Sequence, residues 1–261
     1  PMPTRASPVP IFNPKDLIEG LGKGLRVIES FDDDHARQTV TEAARRAGIT
    51  RTAARRHLLS LVHFGYAASD GKLYWLTPRV LRLGHGYLGT ARLPRLVQPF
   101  IQQISQKCGE TVNVSVIDGH EVVYVARSSP PRHLSIGYQV GVRMPAHAVT
   151  PGVMMLAALS DRELDDWIAQ HDFVGFTAHT VTDPVLFRQH VLEARALDCW
   201  ITRQQIDFGL RGLAVPLKDR KGACHGAMGM TVQTQSYSDE QMQVHLLPLL
   251  REAAQLLRPL L

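Results

Sequence analysis

Thr41–Tyr66 reads TEAARRAGITRTAARRHLLSLVHFGY, two short helical patterns joined by a tight turn. The organisation of the chain follows from it. Thr41 is placed to cap the first helix, Ala43, Ala44 and Ala47 give it a small inner face, and Gly48 permits the turn. Thr50 offers a second N-cap, and Leu58, Leu59, Leu61 and Val62 form the apolar stripe of the second helix. Arg51, Thr52, Arg55 and Arg56 then face outward near its N-terminus, where a helix entering a DNA groove meets base edges and phosphates. Between Arg45 and Arg56 there are five arginines and no acid. A solvated helical hairpin also carries such charges, but turn, caps and basic face agree on the DNA reading. Thr52, Arg55 and Arg56 are the candidates for base contact; Thr41, Arg45, Arg46, Thr50, Arg51 and Lys72 complete the candidate DNA-facing set.

The next stretch, YAASDGKLYWLT from Tyr66 to Thr77, has two short runs around Asp70-Gly71, a favoured pair for a two-residue hairpin turn. A hairpin after a reading helix is a wing, with Lys72 at its tip. Tyr74, Trp75 and Leu76 are expected to pack under the helices; stacking of Trp75 on single-stranded bases is the weaker alternative.

Outside this unit, 261 residues favour two domains over one, and 44% apolar content supports packed cores. The net charge of +5 is unevenly placed: residues 1–92 hold 14 Lys+Arg against 8 Asp+Glu, the remainder 15 against 16. The excess therefore lies with the reading helix, as in a nucleic-acid module joined to a near-neutral second domain. Cys108, Cys199 and Cys224 show no C-x-x-C spacing and are expected as reduced thiols of a cytoplasmic protein. The proline-rich start has no apolar core segment and reads as a flexible arm over 1–14. The most apolar stretch, Val149 to Leu159, is too short to cross a bilayer, so no membrane partner is expected.

Lys15 to Phe31 reads as a helix with Leu17, Leu21, Leu25 and Ile28 on one side, completing a DNA-binding domain over 15–77. Pro78 suits an N1 position, and a linker helix runs through 78–93. Leu96 to Lys107, led by Pro94, spaces Val97, Ile101 and Ile104 along one face and opens a second domain over 94–261. There, Thr111–Ile117 and Glu121–Ala126 form a hairpin around Asp118-Gly119-His120, and Leu134–Tyr138 is a third candidate strand. Pro151–Ala158, Asp161–Gln170 and Pro184–Leu197, with Asp183 as N-cap, read as helices. Trp200–Ile206, Gly212–Leu217 and Ala223–Val232 read as strands, and Ser238 caps a last helix to Leu257. Hairpins with flanking helices predict a mixed, antiparallel-rich α/β fold, not a doubly wound sheet.

GLGKGLRVIESF, the helix-turn-helix, LTPRVLRLGHGYL, GETVNVSVIDGHEVVYVAR, VGVRMPAH and DFGLRGLAVPLKDRKG together resemble the IclR family of bacterial transcription regulators, from about Leu17 to Leu257. GLGKGLRVIESF and FGLRGLAVPLKDR look most like its aromatic-acid branch, which answers to protocatechuate or 4-hydroxybenzoate. The resemblance implies an N-terminal winged helix-turn-helix, a linker helix and a C-terminal GAF-like effector-binding domain. It also implies dimers, often paired into tetramers, on palindromic promoter DNA.

By the same resemblance, effectors sit on the concave side of the C-terminal sheet, under Met144–Met154 and against Cys199–Gln204 and Arg211–Leu213. His147, Thr150 and Gly152 come from that cover, and Trp200, Thr202, Gln204 and Gly212 from the strands. Side-chain alternation puts Trp200, Thr202 and Gln204 on one face, an aromatic wall with two hydrogen-bonding groups for a flat polar ring; Trp200 as plain core is an equal reading. Many relatives carry an acid where this chain has Thr202-Arg203-Gln204-Gln205, and its loss favours an anionic ligand. Ala148–Val153 also lacks the Gly-Lys or Gly-Arg that commonly ends this run. The carboxylate anchor stays open among Arg132, Arg203 and His147, while Arg143 is structural in the VGxRxP pattern.

Enzymatic readings are weak. Gly84–Gly89 matches G-x-G-x-x-G with Glu110 downstream, yet Pro78 favours helix before it and Pro94 interrupts soon after. The twelve histidines show no i, i+4 pair with a third ligand nearby, so neither metal nor cofactor is expected. The sequence thus points to a regulator activating an aromatic-acid operon on binding an aromatic carboxylate. A repressor answering to a small aliphatic acid and a cytosolic enzyme remain as alternatives.

Overall fold

The computed structural model describes residues 13–130 and 137–261. Most of the expected arm, candidate Arg132 and most of the expected strand Leu134–Tyr138 lie outside the described residues. The chain divides into two compact units that meet in sequence between Thr90 and Ala91.

The N-terminal unit holds α1 (Glu19–Glu29), α2 (Val40–Arg46), α3 (Arg51–His63), a hairpin of β1 (Ala67–Ser69) and β2 (Tyr74–Leu76), and α4 (Leu81–Thr90) after a 3-10 turn at Pro78–Val80. Its core is Val27, Ala43, Ala47, Leu58 and Tyr74. The inner face of α1 differs from expectation. Gly24, Val27 and Phe31 turn toward the core, and a Cβ at Gly24 would lie 3.4 Å from the His57 ring. Leu17, Leu21 and Leu25 are exposed. Small residues bring α1 close to α3, which rotates the leucines out.

Thr39, not Thr41, caps α2. The Thr39 hydroxyl accepts from Glu42 N, and the Glu42 carboxylate accepts from Thr39 N at 2.7 Å, a reciprocal capping box. The helix starts two residues earlier than its apolar pattern suggests. The cap on α3 is Thr50, whose hydroxyl accepts from Ala53 N at 3.2 Å, and Gly48 makes the turn at φ +62°. Leu58 is fully buried, whereas Leu59 is exposed beside the arginines. The hairpin loop is four residues long, not two. Asp70 Oδ1 accepts from both Lys72 N (2.9 Å) and Leu73 N (2.8 Å), so its carboxylate closes the loop that Gly71 turns.

The C-terminal unit comprises α5 (Arg92–Cys108), β3 (Val112–Asp118), β4 (Glu121–Ser128), β5 (Arg143–Pro145), α6 (Thr150–Leu156), α7 (Asp161–Gln170), α8 (Pro184–Leu197), β6 (Trp200–Arg203), β7 (Leu210–Lys218), β8 (Cys224–Gln233), α9 (Asp239–Gln241) and α10 (Leu247–Leu257), with a π-helical turn, Met242–Leu246, between the last two. α5 begins before Pro94 because a proline in the first turn costs no helical hydrogen bond. The six strands form one sheet, β5-β4-β3-β8-β7-β6, with every pairing antiparallel. The fold is mixed α/β without a doubly wound sheet.

Side-chain alternation splits this sheet into two unlike faces. Val112 and Val114 of β3, Leu213, Val215 and Leu217 of β7, and Met228, Met230 and Val232 of β8 pack with α5 and α10. Ala214 and Ala227 face α6 and α8 instead, with Val153, Leu156, Phe187 and Val191. Small residues here let α6 sit tightly. A Cβ at Gly212 would fall 2.1 Å from Thr150 Oγ1, and one at Gly152 would fall 2.0 Å from the Ala146 carbonyl.

Candidate functional site

On α3, Ala54 and Leu58 point inward, so Thr52, Arg55, Arg56 and Leu59 share the outward face. Arg51, Arg55 and Arg56 have no ion-pair partner among the described residues, leaving three guanidinium groups exposed on the first two turns. Thr41 and Arg45 are exposed on α2, and Lys72 is exposed at the hairpin tip. Thr50 is taken up by its cap. Arg46 differs from the rest of the set: its Nε donates to Ser30 O at 2.7 Å and its guanidinium pairs with Asp32. It fastens α2 to the end of α1. Trp75 lies under Arg37, whose guanidinium carbon is 4.2 Å from the ring centre, so its stacking partner comes from the protein.

The C-terminal unit holds a cavity with an empty volume of about 490 Å³ including its mouth. Its floor is the α6-facing side of the sheet: Asn113 and Ser115 of β3, Tyr124 of β4, Gly229 and Thr231 of β8, Gly212 of β7 and Thr202 of β6. Ala148, Val149, Thr150 and Pro151 cover it, and Tyr138, Gln205, Ile206 and Asp207 complete the wall. The Thr150 and Thr202 hydroxyls are 2.5 Å apart, joining cover to floor. Tyr124 and Tyr138 pack together with ring centres 4.8 Å apart and planes tilted by 31°. Burial pushes the Tyr124 phenol well up, and burial with Asp207 nearby raises Tyr138. Both therefore remain protonated hydrogen-bond donors. The arrangement offers a flat, hydroxyl-lined slot with an aromatic pair, which suits a polar ring.

Of the residues singled out from sequence, Thr150, Thr202 and Gly212 line this cavity and the other described ones do not. Trp200 shares the Thr202 face but lies beyond the cavity, 5.3 Å from the His190 ring. β6 ends at Arg203, and Gln204 turns the chain at φ +55° while its amide donates to Phe208 O at 2.6 Å. Strand alternation fails there, and Gln205 takes the wall position. Gly152 serves the close approach of α6 to Ala146. Arg203 is corrected as a carboxylate anchor: it pairs with Asp239, as does Arg211 at 2.8 Å. Arg211 and Leu213 flank Gly212 and border the cavity, Leu213 packing mainly into the core of the opposite face and the Arg211 guanidinium bonding to Asp239. Asp207 and Arg211 are the charged residues of the lining, and Asp207 is a carboxylate close to where the sequence was read as having lost one.

His147 is also corrected. It is buried in a file of imidazoles outside the cavity. A carbonyl only accepts, so His147 Nε2–H donates to Val174 O at 3.0 Å and Nδ1 is left as an acceptor. His171 Nε2–H then donates to His147 Nδ1 at 2.7 Å, and His120 Nδ1–H to His171 Nδ1 at 3.1 Å. The carbonyl fixes the tautomer of each ring in turn. Burial lowers the His147 pKa, and burial with the neighbouring rings lowers that of His171 to about 4. Arg143 bonds Asp118 and Glu121 at 2.8 and 2.7 Å, bracing the β3–β4 turn as expected. Among the described residues no His, Cys, Asp or Glu group is placed to hold a metal ion, and no helix is long and apolar enough to cross a membrane.

Residues 85–258 match the family described as bacterial transcriptional regulator IclR C-terminal, and residues 20–71 match the IclR helix-turn-helix domain. The chain belongs to the IclR family. It is 37% identical to the p-hydroxybenzoate hydroxylase transcriptional activator of Acinetobacter baylyi over 252 residues, 94% of this chain and 93% of the relative. It is 33% identical to the Pca operon regulatory protein of the same organism over 255 residues, 96% and 92% of the two chains. Among solved structures it resembles a double mutant of the inducer-binding domain of the PobR transcription factor from Acinetobacter, in complex with 3-hydroxybenzoic acid. That match has a TM-score of 0.62 and 31% identity, covering 66% of this chain and 100% of the other. These relatives are regulators of aromatic-acid catabolism, the IclR branch whose motifs the sequence carries.

Asn113, Ser115, Tyr124, Tyr138, Thr231 and Asp207 escaped the sequence reading. A signal existed for the first two. Val112-Asn113-Val114-Ser115-Val116 alternates apolar and polar residues inside a strand covered on both sides, and a polar position there needs a use.

Proposed function

We propose that this IclR-family chain activates an aromatic-acid catabolic operon, binding promoter DNA through α3 and an aromatic carboxylate in the C-terminal cavity. The observation that carries the reading is the cavity closed on one side by the Thr150–Thr202 bond, whose phenols, hydroxyls and aromatic pair match a flat hydroxylated acid. Relatives at 33–37% identity regulate such pathways. The exposed arginines supply phosphate affinity that falls steeply with salt. The protein works as a dimer on a palindromic site, and the exposed apolar residues Leu17, Ile18, Leu21 and Leu25 at the start of the unit and Leu81 and Leu83 of α4 support a second subunit there. The effector favours one spacing of the two reading helices, because only differential affinity moves such an equilibrium.

The test is duplex binding by fluorescence anisotropy with and without benzoate, hydroxybenzoates and protocatechuate, followed by transcription in vitro. One of these acids should raise the melting temperature and change DNA affinity or promoter output by roughly 5–150-fold. At a hundredfold excess over its dissociation constant it should add ~2.7 kcal/mol of stability. Duplex binding that ignores every acid, with no melting shift, overturns the reading.

A further inference from the structure

Asn113 is 4% exposed, and among the described residues neither its Nδ2 nor its Oδ1 has a hydrogen-bond partner. It lines the cavity and stands across the strand pair from Gly229, which puts no side chain in front of it. On the other strand its register partner is Arg127, and Gly137 also presses close; a Cβ there would come 3.2 Å from Asn113 Nδ2. Buried side-chain amides are nearly always bonded, because an unmet donor or acceptor forfeits its hydration with nothing in return. The strand neighbours Val112 and Val114 are ordinary core on the opposite face, and among the described residues nothing in the fold bonds the Asn113 amide on the cavity face.

We propose that Asn113 reads a ring hydroxyl of the effector and so sets the preference of this site for hydroxylated over plain aromatic acids, a step that rests on the aromatic-acid reading above. The amide has one face of each kind: Nδ2 donates and Oδ1 accepts. A carboxylate only accepts, so it would serve Nδ2 while setting negative charge against Oδ1. A phenolic hydroxyl both donates and accepts and meets either atom without that conflict. Ser115, two residues along the same strand and paired in register with Tyr124, adds hydroxyls beside it. The hydroxyl of the ligand therefore goes inward over β3.

The experiment measures dissociation constants of benzoate, 3-hydroxybenzoate and 4-hydroxybenzoate for the full-length protein and for Asn113→Leu, together with melting temperatures without ligand. The parent should bind one hydroxybenzoate ~100-fold tighter than benzoate, as an unmet buried polar group demands. Asn113→Leu should bring that ratio within ~3-fold, and should melt no lower than the parent because it removes two unbonded polar atoms. If the leucine disturbs the floor, Asn113→Ala reads the same ratio with less bulk. A preference that survives both substitutions overturns the role of Asn113 alone. A parent that binds no benzoate of any kind overturns the aromatic-acid reading, and this assignment falls with it.

Discussion

On α3, Thr52, Arg55 and Arg56 come to one face through the helix period alone; in the cavity, Asn113, Thr150, Thr202 and Thr231 meet because four separate elements fold together. The first surface needs little beyond a cap at Thr50 and a buried Leu58 to be aimed. The second depends on two glycines, the antiparallel register and the strand end at Arg203. A surface made by one element tolerates change elsewhere, whereas a surface made by several is lost when any of them shifts. The largest expected effect breaks the comparison at its simpler end. Arg55→Ala with Arg56→Ala should weaken specific duplex binding by on the order of 10²–10⁴, at ~1–3 kcal/mol per well-made base contact, and should leave the melting temperature unchanged. Unchanged affinity in an anisotropy titration would move the reading surface off α3.

At the cavity end the sharpest probes are the glycines. Gly152→Ala places a methyl 2.0 Å from the Ala146 carbonyl, a backbone atom that cannot turn aside. It should cost ~3 kcal/mol in chemical denaturation. Gly212→Ala meets the Thr150 hydroxyl at 2.1 Å and the Thr202 hydroxyl at 2.8 Å, side chains that can shift only by giving up their mutual bond, and should cost ~1–3 kcal/mol. Both should reduce effector binding while leaving the isolated N-terminal face intact, so duplex affinity without effector should change little. If Gly212→Ala left effector affinity as it was, the cover of the cavity would have to be elsewhere than over Thr202.

Arg45 and Arg46 draw the same distinction inside α2. Side by side in sequence, one is exposed and the other is bonded to Ser30 O and Asp32. Arg46→Ala should lower stability by ~1–2 kcal/mol, since Ser30 O loses a charge-assisted donor. Arg45→Ala should leave stability alone and reduce the salt slope of duplex binding by about 1. Equal effects of the two on duplex binding would mean that Arg46 leaves Asp32 when DNA arrives.

These differences mark what the sequence could convey. Caps, turns and periods are local, so α3, α7, α8 and the β3–β4 turn were legible almost to the residue, as was the placing of Thr50 and Gly48. Thr41 was misread because the capping box of Thr39 and Glu42 lies one turn before the apolar pattern. The leucines of α1 were misread because Gly24 changes which face packs closest, a matter of the partner helix. In the cavity only Thr150, Thr202 and Gly212 were reached, all through family resemblance. Gln204 was lost to a positive φ that no alternation rule anticipates, and Arg203 to an aspartate 36 residues away. Tyr138 and Asp207 come from loops, which have no period to read.

The smallest expected effect concerns the imidazole file, which shows a several-element site built without a ligand. His147 and His171 have folded-state pKa values below the ordinary 6.5, chiefly through burial. A base whose pKa is lowered by folding binds fewer protons in the native than in the unfolded state, so stability rises with pH. For His171 that contribution is complete above pH 6.5 and is lost as pH falls through about 4. Solvent on the open edge of the ring screens it to on the order of 1 kcal/mol. Asp219, held low by its His225 hydrogen bond, and Glu42, held low by Thr39, begin to lose their share only toward the bottom of this window, so the difference between parent and variant isolates His171. His171→Leu removes the titrating ring and the bond to His147 Nδ1 together. Its free energy of unfolding should therefore fall less steeply than that of the parent across this window, whatever its stability at pH 7.5. Parallel profiles for the two proteins would show that His171 charges freely in the folded state, and the assigned direction of the file, from His120 toward the Val174 carbonyl, would have to be abandoned.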